Sequence, residues 1–292
     1  MIYTDLHCDT LFELYKKGLT YRNDQLHLRQ AFEDVFTHHT QVFAIWTEHK
    51  LSPDDAWRQF LAIRKYYENA EIPKEIKSIL AVEGGALIDN DLSRLDILHS
   101  LGIRILTLVW QDVCSLGGAH NTDIGLTDFG AEAVKRCFTL GIQPDISHAS
   151  DRMFWQVAEL SEYHQKPLLA THSNARTICD HRRNLTDAMF DAILKSDGVT
   201  GISMAAVHLK KDADATLLDI VKHIEHYCSL GGENYICLGC DFDGISSSPK
   251  EIQNMYDLPL LAEHLARLGY SDCQIEGFFY KNADRFLKKI SV

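Results

Sequence analysis

The sequence has no apolar run that approaches the ~18 residues of a membrane-crossing helix. Its start shows neither the basic nor the apolar region of a secretory signal, and no lipid-anchor sequence closes it, so the expected place is the cytoplasm. Positive charge is scarce: 29 Lys and Arg against 41 Asp and Glu leave a formal charge of -12, with the basic residues scattered. No nucleic-acid or membrane partner is therefore expected. No Pro-, Gly- or Ser-rich linker and no low-complexity tract interrupts the chain, and residues 1–292 read as one domain. Eight cysteines are spread along the length without the dense spacing of a disulfide scaffold, and they read as reduced. Cys237 and Cys240 form a CxxC, but odd spacing along a strand sends the two side chains to opposite faces, and no second pair follows.

What the chain does have is an alternation. Eight strand-like apolar runs occupy residues 2–7, 41–46, 78–83, 103–110, 142–147, 167–172, 199–204 and 235–241. Amphipathic segments separate them. After the second run, Ser52 can cap a helix that Pro53 begins, with Ala56, Phe60, Ile63 and Tyr67 on one face. After the seventh, Leu217, Val221, Ile224 and Cys228 repeat at helical spacing before a stop at Gly231 and Gly232. After the eighth, Ser271 and Gln274 form a capping box ahead of Ile275, Phe279 and Phe286. Alternating strands and helices build a parallel sheet. Eight units fit an α/β (β/α)8 TIM barrel of ~250 residues plus insertions, and the glycine-rich turn of a doubly wound sheet is missing after the first run. In such barrels the chemistry sits at the C-terminal ends of the strands.

Those ends are polar. Run one closes on His7 with Asp9 just beyond, run three on Glu83, run five leads to His148, run six closes on His172 and run eight on Asp241. A lone histidine at a strand end is more often a hydrogen-bonded structural residue, and fifteen histidines make some chance placements inevitable. Six ligand-type groups on one rim are a stronger observation. Imidazole and carboxylate hold zinc and similar divalent ions, and two such ions a few Å apart activate a shared water and polarise a carbonyl, which is hydrolysis. His7 and Asp9, two apart on a strand, suit one ion; His148 and His172 suit the second; Glu83 lies between them around the ring. Gly84 and Gly85 allow a tight turn just after it.

The stretches DLHCDT (5–10), VEGG (82–85), LTL (106–108), GLTDFG (125–130), DISHAS (145–150), THSNAR (171–176), RRNLTD (182–187) and GCDFDG (239–244), in this order, resemble the membrane (renal) dipeptidases of the metal-dependent amidohydrolase superfamily. The terminal NADRFLKK (282–289) looks like that family's last helix. The resemblance implies a barrel with two Zn2+, or other divalent ions, and a small dipeptide substrate, with tolerance of a D-residue at the C-terminal position. It implies His7, Asp9, Glu83 as bridge, His148 and His172 as metal ligands, and Arg183 as clamp for the substrate's C-terminal carboxylate. It makes Asp241 the residue that takes a proton from the bridging water or gives one to the leaving amine, and that also binds the substrate's ammonium group. Asp243 reads as structural, on backbone N–H groups of the loop that follows it.

One departure stands out. Where secreted members carry a histidine that stabilises the oxyanion, this chain has Trp110, which cannot replace a charged or doubly hydrogen-bonding imidazole although its ring can wall the substrate pocket; oxyanion stabilisation then falls to the metals or to another donor, with Gln111, His120 and Asn121 the candidates. An amidohydrolase acting on a lactone, amide or phosphotriester is the alternative enzyme, but its usual bridge, a carboxylated lysine after the fourth strand, has no counterpart between Arg104 and Lys135. A non-catalytic metal-binding barrel is the third reading, motivated by Trp110. Residues 112–124 and 243–259 are long enough to be lids. The oligomeric state is open, a homodimer included.

Overall fold

A computed structural model describes residues 1–28 and 35–290. Eight strands form one sheet: β1 (Ile2–Cys8), β2 (His38–Trp46), β3 (Ile76–Glu83), β4 (Ile103–Thr107), β5 (Gln143–Asp145), β6 (Leu169–Ala170), β7 (Val199–Ile202) and β8 (Ile236–Leu238). The hydrogen-bonded order is β5-β4-β3-β2-β1-β8-β7-β6, parallel throughout. Chain order is thus ring order. Ile146 N, just past β5, donates to Leu169 O of β6 at 2.9 Å and brings the two ends of the sheet together. The result is a near-closed barrel with helices outside.

Strands β4 to β8 are shorter than the apolar runs that signal them. For β5 to β8 the reason lies in where backbone donors go at the C-terminal ends. Asp145 Oδ1 accepts from Ser147 N and Thr171 N, Ser147 Oγ accepts from His172 N, Asp5 Oδ1 accepts from Cys240 N, and Asn174 Oδ1 accepts from Ser203 N. Side chains have replaced the ladder there, so pairing stops and the backbone is free to splay the rim residues apart.

The helices follow their sequence signals. Ser52 Oγ accepts from Asp55 N and starts helix Pro53–Tyr67, which buries Ala56, Phe60 and Ile63. Helix Leu217–Ser229 buries Leu217, Val221 and Ile224, and the chain leaves it through Gly231 at φ 84°. The Ser271–Gln274 capping box opens Asp272–Glu276, but the chain then widens into a π-helical turn, Gly277–Lys281, before Asn282–Lys289. That last helix has a task the periodicity does not reveal. Its Ala283, Phe286 and Leu287 pack on Leu6, Val42, Ala44, Ile105 and Val199 inside the barrel, while Asn282 Nδ2 donates to Ile236 O. It plugs the N-terminal end of the barrel. Cys237 belongs to this inner cluster and Cys240 to the outer one, so the CxxC does face two ways, and all eight cysteines are free thiols. Among the described residues no helix is long and apolar enough to cross a membrane.

Two buried histidines make the fold acid-sensitive. Burial lowers His223 from 6.5 to about 4, although Nε2–H donates to Leu209 O and Nδ1 accepts from Ala175 N; burial likewise lowers His39 to about 4. Their folded-state values lie below the unfolded one, so stability is complete above pH 6.5 and declines as the unfolded chain takes up protons between 6.5 and 4. Each histidine should cost about 2 kcal/mol at about pH 5. Denaturant unfolding at that pH and at neutrality measures the difference, and His223→Gln should remove its share.

Candidate active site and metal centre

Six side chains from five strand ends converge at the C-terminal mouth of the barrel. Glu83, the last residue of β3, stands in the middle: its Oε1 lies 2.9 Å from His148 Nε2 and 3.5 Å from the Nε2 atoms of both His7 and His172. His7 Nε2 is 3.7 Å from Asp9 Oδ2 and 3.9 Å from Asp241 Oδ1. Asp9 is not on the strand, which ends at Cys8; it precedes helix Thr10–Lys17, and Asp9 N donates to Phe242 O. His148 and Asp241 lie beyond their strands with φ of 71° and 63°, a left-handed backbone that non-glycine residues seldom adopt. Gly244 makes room for the acids, since a Cβ there would sit 2.0 Å from Asp9 Oδ2 and 2.7 Å from Asp241 Oδ1.

The ring orientations are set from behind. His148 Nδ1 donates to Trp110 O at 3.0 Å, a carbonyl that can only accept, which leaves Nε2 with a free lone pair. Thr171 Oγ1 donates to Asp145 Oδ2 at 2.7 Å and so must accept from His172 Nδ1 at 2.8 Å, with the same consequence. Asp145 also accepts from Thr107 Oγ1, which ties β4, β5 and β6 together beneath the histidines.

The electrostatics favour a cation. Burial, then the Asp9 carboxylate, pushes Glu83 well above the usual range, and burial raises Asp241 to about 7. Burial would lower His7, but Glu83, Asp9 and Asp241 outweigh it and raise the imidazole to about 10. Burial holds His148 and His172 well below 6.5, as neutral ligands must be. His7 Nε2 and Asp9 Oδ1 are buried with no hydrogen-bond partner. Among the described residues two groups have ligand atoms within 4.8 Å of one another, His7 with Glu83 and His172, and His7 with Asp9 and Asp241. Neutral imidazole and carboxylate are the donors that zinc and similar divalent ions take, so the residues present fit a metal.

A cleft of about 290 Å3 opens over this cluster. Arg183 reaches it from the loop after β6, only 5% exposed; Nη2 donates to His172 O at 3.4 Å, while Nε and Nη1 are buried without a partner. Trp110 lines the cleft and packs on Trp46 and His49, with ring centroids 5.1 and 5.3 Å apart. Of the oxyanion candidates, Gln111 and His120 line the cleft, whereas Asn121 pins Asp112 through two hydrogen bonds. Asp243 is structural, but its carboxylate takes the N–H groups of His27 and Leu28 and the hydroxyl of Thr10, not those of the following loop. His181 and His208, which no strand-end pattern marks, also face the cleft. A roomier groove of about 450 Å3 runs along the outer wall by Trp155, away from every group named above.

The sequence profile of the membrane dipeptidases, peptidase family M19, matches residues 60–292. The chain belongs to this family. An uncharacterised protein of Klebsiella pneumoniae, encoded 5′ of pqqA, is 32% identical over 76% of this chain and 85% of its own. Mouse dipeptidase 3 is 29% identical over 74% of this chain, which spans 45% of that protein's length. Dipeptidase AC, a metallopeptidase of family M19, superposes with a TM-score of 0.91 at 26% identity over 99% of this chain and 98% of its own. A metallopeptidase of Rhodobacter sphaeroides, crystallised with a phosphinate mimic of L-Ala-D-Ala, shares the fold, with a TM-score of 0.89 at 24% identity over 99% of both chains. Membrane dipeptidases of family M19 are metal-dependent, and the described residues of this member hold two candidate metal-binding clusters.

Proposed function

We propose that this family member is a binuclear, zinc-dependent dipeptidase that hydrolyses the single peptide bond of short dipeptides and tolerates a D-residue at the C-terminal position. The observation that carries the reading is Glu83, whose one carboxylate oxygen meets three imidazole nitrogens within 3.5 Å. His7 and Asp9 would hold one ion, His148 and His172 the other, and Glu83 both. Bound there, two divalent ions supply a water nucleophile at neutral pH and draw electron density from the scissile carbonyl.

The remaining work falls to the chain's own residues. Arg183 has unpartnered N–H groups at Nε and Nη1, and either of them, with the second hydrogen of Nη2, makes a fork that matches the dipeptide's terminal carboxylate. Anchoring that end fixes the peptide bond over the acids whatever the configuration of the last residue, which is why a D-residue is tolerated. Asp241, raised to about 7, takes the proton of the attacking water and returns it to the leaving amine. Trp110, packed on Trp46, excludes water from one side of the cleft.

Elemental analysis of the purified protein, with a panel of L,L- and L,D-dipeptides, tests the reading. Two ions per chain and activity that chelation removes and zinc restores are the expected result. A panel without metal-dependent release of amino acids would end it.

A further inference from the structure

The cleft is chemically lopsided. Among the described residues that line it, Asp9, Glu83 and Asp241 supply all the carboxylates, and they lie together at the metal cluster. The opposite wall holds Arg183 and an arc of imidazoles. His148, His120, His181 and His208 follow one another with ring centroids 5.9, 6.3 and 4.8 Å apart. Only the first belongs to the metal cluster. The loop that carries Arg183 builds part of this wall: Arg183 N donates to His181 Nδ1 at 3.2 Å, so the proton of the neutral ring sits on Nε2. Asn184 Nδ2 donates to His208 O at 2.8 Å and fixes the second histidine segment to the same loop.

The wall offers more donors than one carboxylate can use. A terminal carboxylate takes two parallel N–H groups from a guanidinium; Arg183 can give the Nη2 hydrogen not used on His172 O together with its neighbour on Nε or Nη1, both of which are buried and unpartnered. His120 Nδ1 is likewise buried without a partner. Burial, then the Arg183 charge, keeps His181 and His208 below their ordinary value, so each of these rings is neutral with one N–H. Three N–H groups beside a fixed cation, with no carboxylate among the described residues that line their side of the cleft, form a second anion-accepting surface. The neighbouring Arg182 and Arg176 are engaged elsewhere, with Asp123 and Asp151.

We propose that the His120, His181 and His208 arc is a subsite for a side-chain carboxylate, making dipeptides with an aspartyl or glutamyl C-terminal residue the preferred substrate class. This inference rests on the dipeptidase reading and adds a specificity to it. The terminal carboxylate occupies the Arg183 fork and the side-chain carboxylate takes N–H groups from the arc; a cationic side chain finds no partner on that wall.

The zinc-loaded protein should be assayed on matched pairs, Ala-Asp against Ala-Asn and Ala-Glu against Ala-Gln, in L,L and L,D forms. The acid is expected to exceed its amide at least tenfold in kcat/KM, and Ala-Lys should be the poorest of the panel. In His181→Leu and His208→Leu the acid-to-amide ratio should fall below threefold. Acid and amide cleaved equally well by the unaltered protein would overturn the subsite while leaving the dipeptidase standing. Cleavage of no dipeptide, neutral ones included, would remove the dipeptidase reading and the subsite with it.

Discussion

Glu83→Gln should lower dipeptide turnover by ~10^3-fold or more while the barrel stays folded. The amide keeps the shape of the side chain but brings a neutral oxygen and an NH2 group to a point where three imidazole nitrogens lie within 3.5 Å. It cannot serve two cations, so bound metal should drop by at least one ion per chain. The effect on the metal-free protein should be opposite. Burial and the Asp9 carboxylate already work against a charged Glu83, so removing that charge relieves repulsion in the fold. Thermal unfolding without metal should therefore be unchanged or shifted upward, and the rise in Tm on adding zinc should shrink. Full metal content with turnover within tenfold of the parent would remove Glu83 from the centre of the site.

Arg183→Met should lower kcat/KM for dipeptides roughly 10^2- to 10^3-fold, the scale of losing one side of a buried charge-paired contact. The control is the substrate itself. Blocking the terminal carboxylate as an amide should be costly for the unaltered protein and nearly without further cost for the variant, because both changes remove the same pair. Arg183→Lys, with a charge but no fork, should lie between the two. Since Arg183 is buried with two unpartnered N–H groups, its replacement should not destabilise the protein, and equilibrium unfolding separates a binding loss from a folding loss. Equal losses on dipeptide and dipeptide amide would dissociate Arg183 from the carboxylate.

The strand ends were the legible part of this protein. His7, Glu83, His148, His172 and Asp241 are visible in the sequence because each follows an apolar run, and a barrel gathers such ends on one rim. Trp110 was legible as a residue but not in its effect: its backbone oxygen, rather than its ring, orients His148. Asp5 and Asp145 look like ordinary polar residues within the runs, yet their carboxylates terminate the ladder and free the rim. The left-handed backbone at His148 and Asp241 has no sequence signal, since neither is glycine.

By itself the sequence determined the donor types, their order around the ring and the family. A side chain's capacity to bind a cation is covalent, and the alternation of strand and helix dictates which ends meet. Tertiary structure alone decided how those donors are aimed. The tautomers depend on Trp110 and Thr171, and room for the acids depends on Gly244. The arc of His120, His181 and His208 joins segments that no periodicity links. Such contacts depend on distances between residues far apart in the chain, which only the closed barrel makes short.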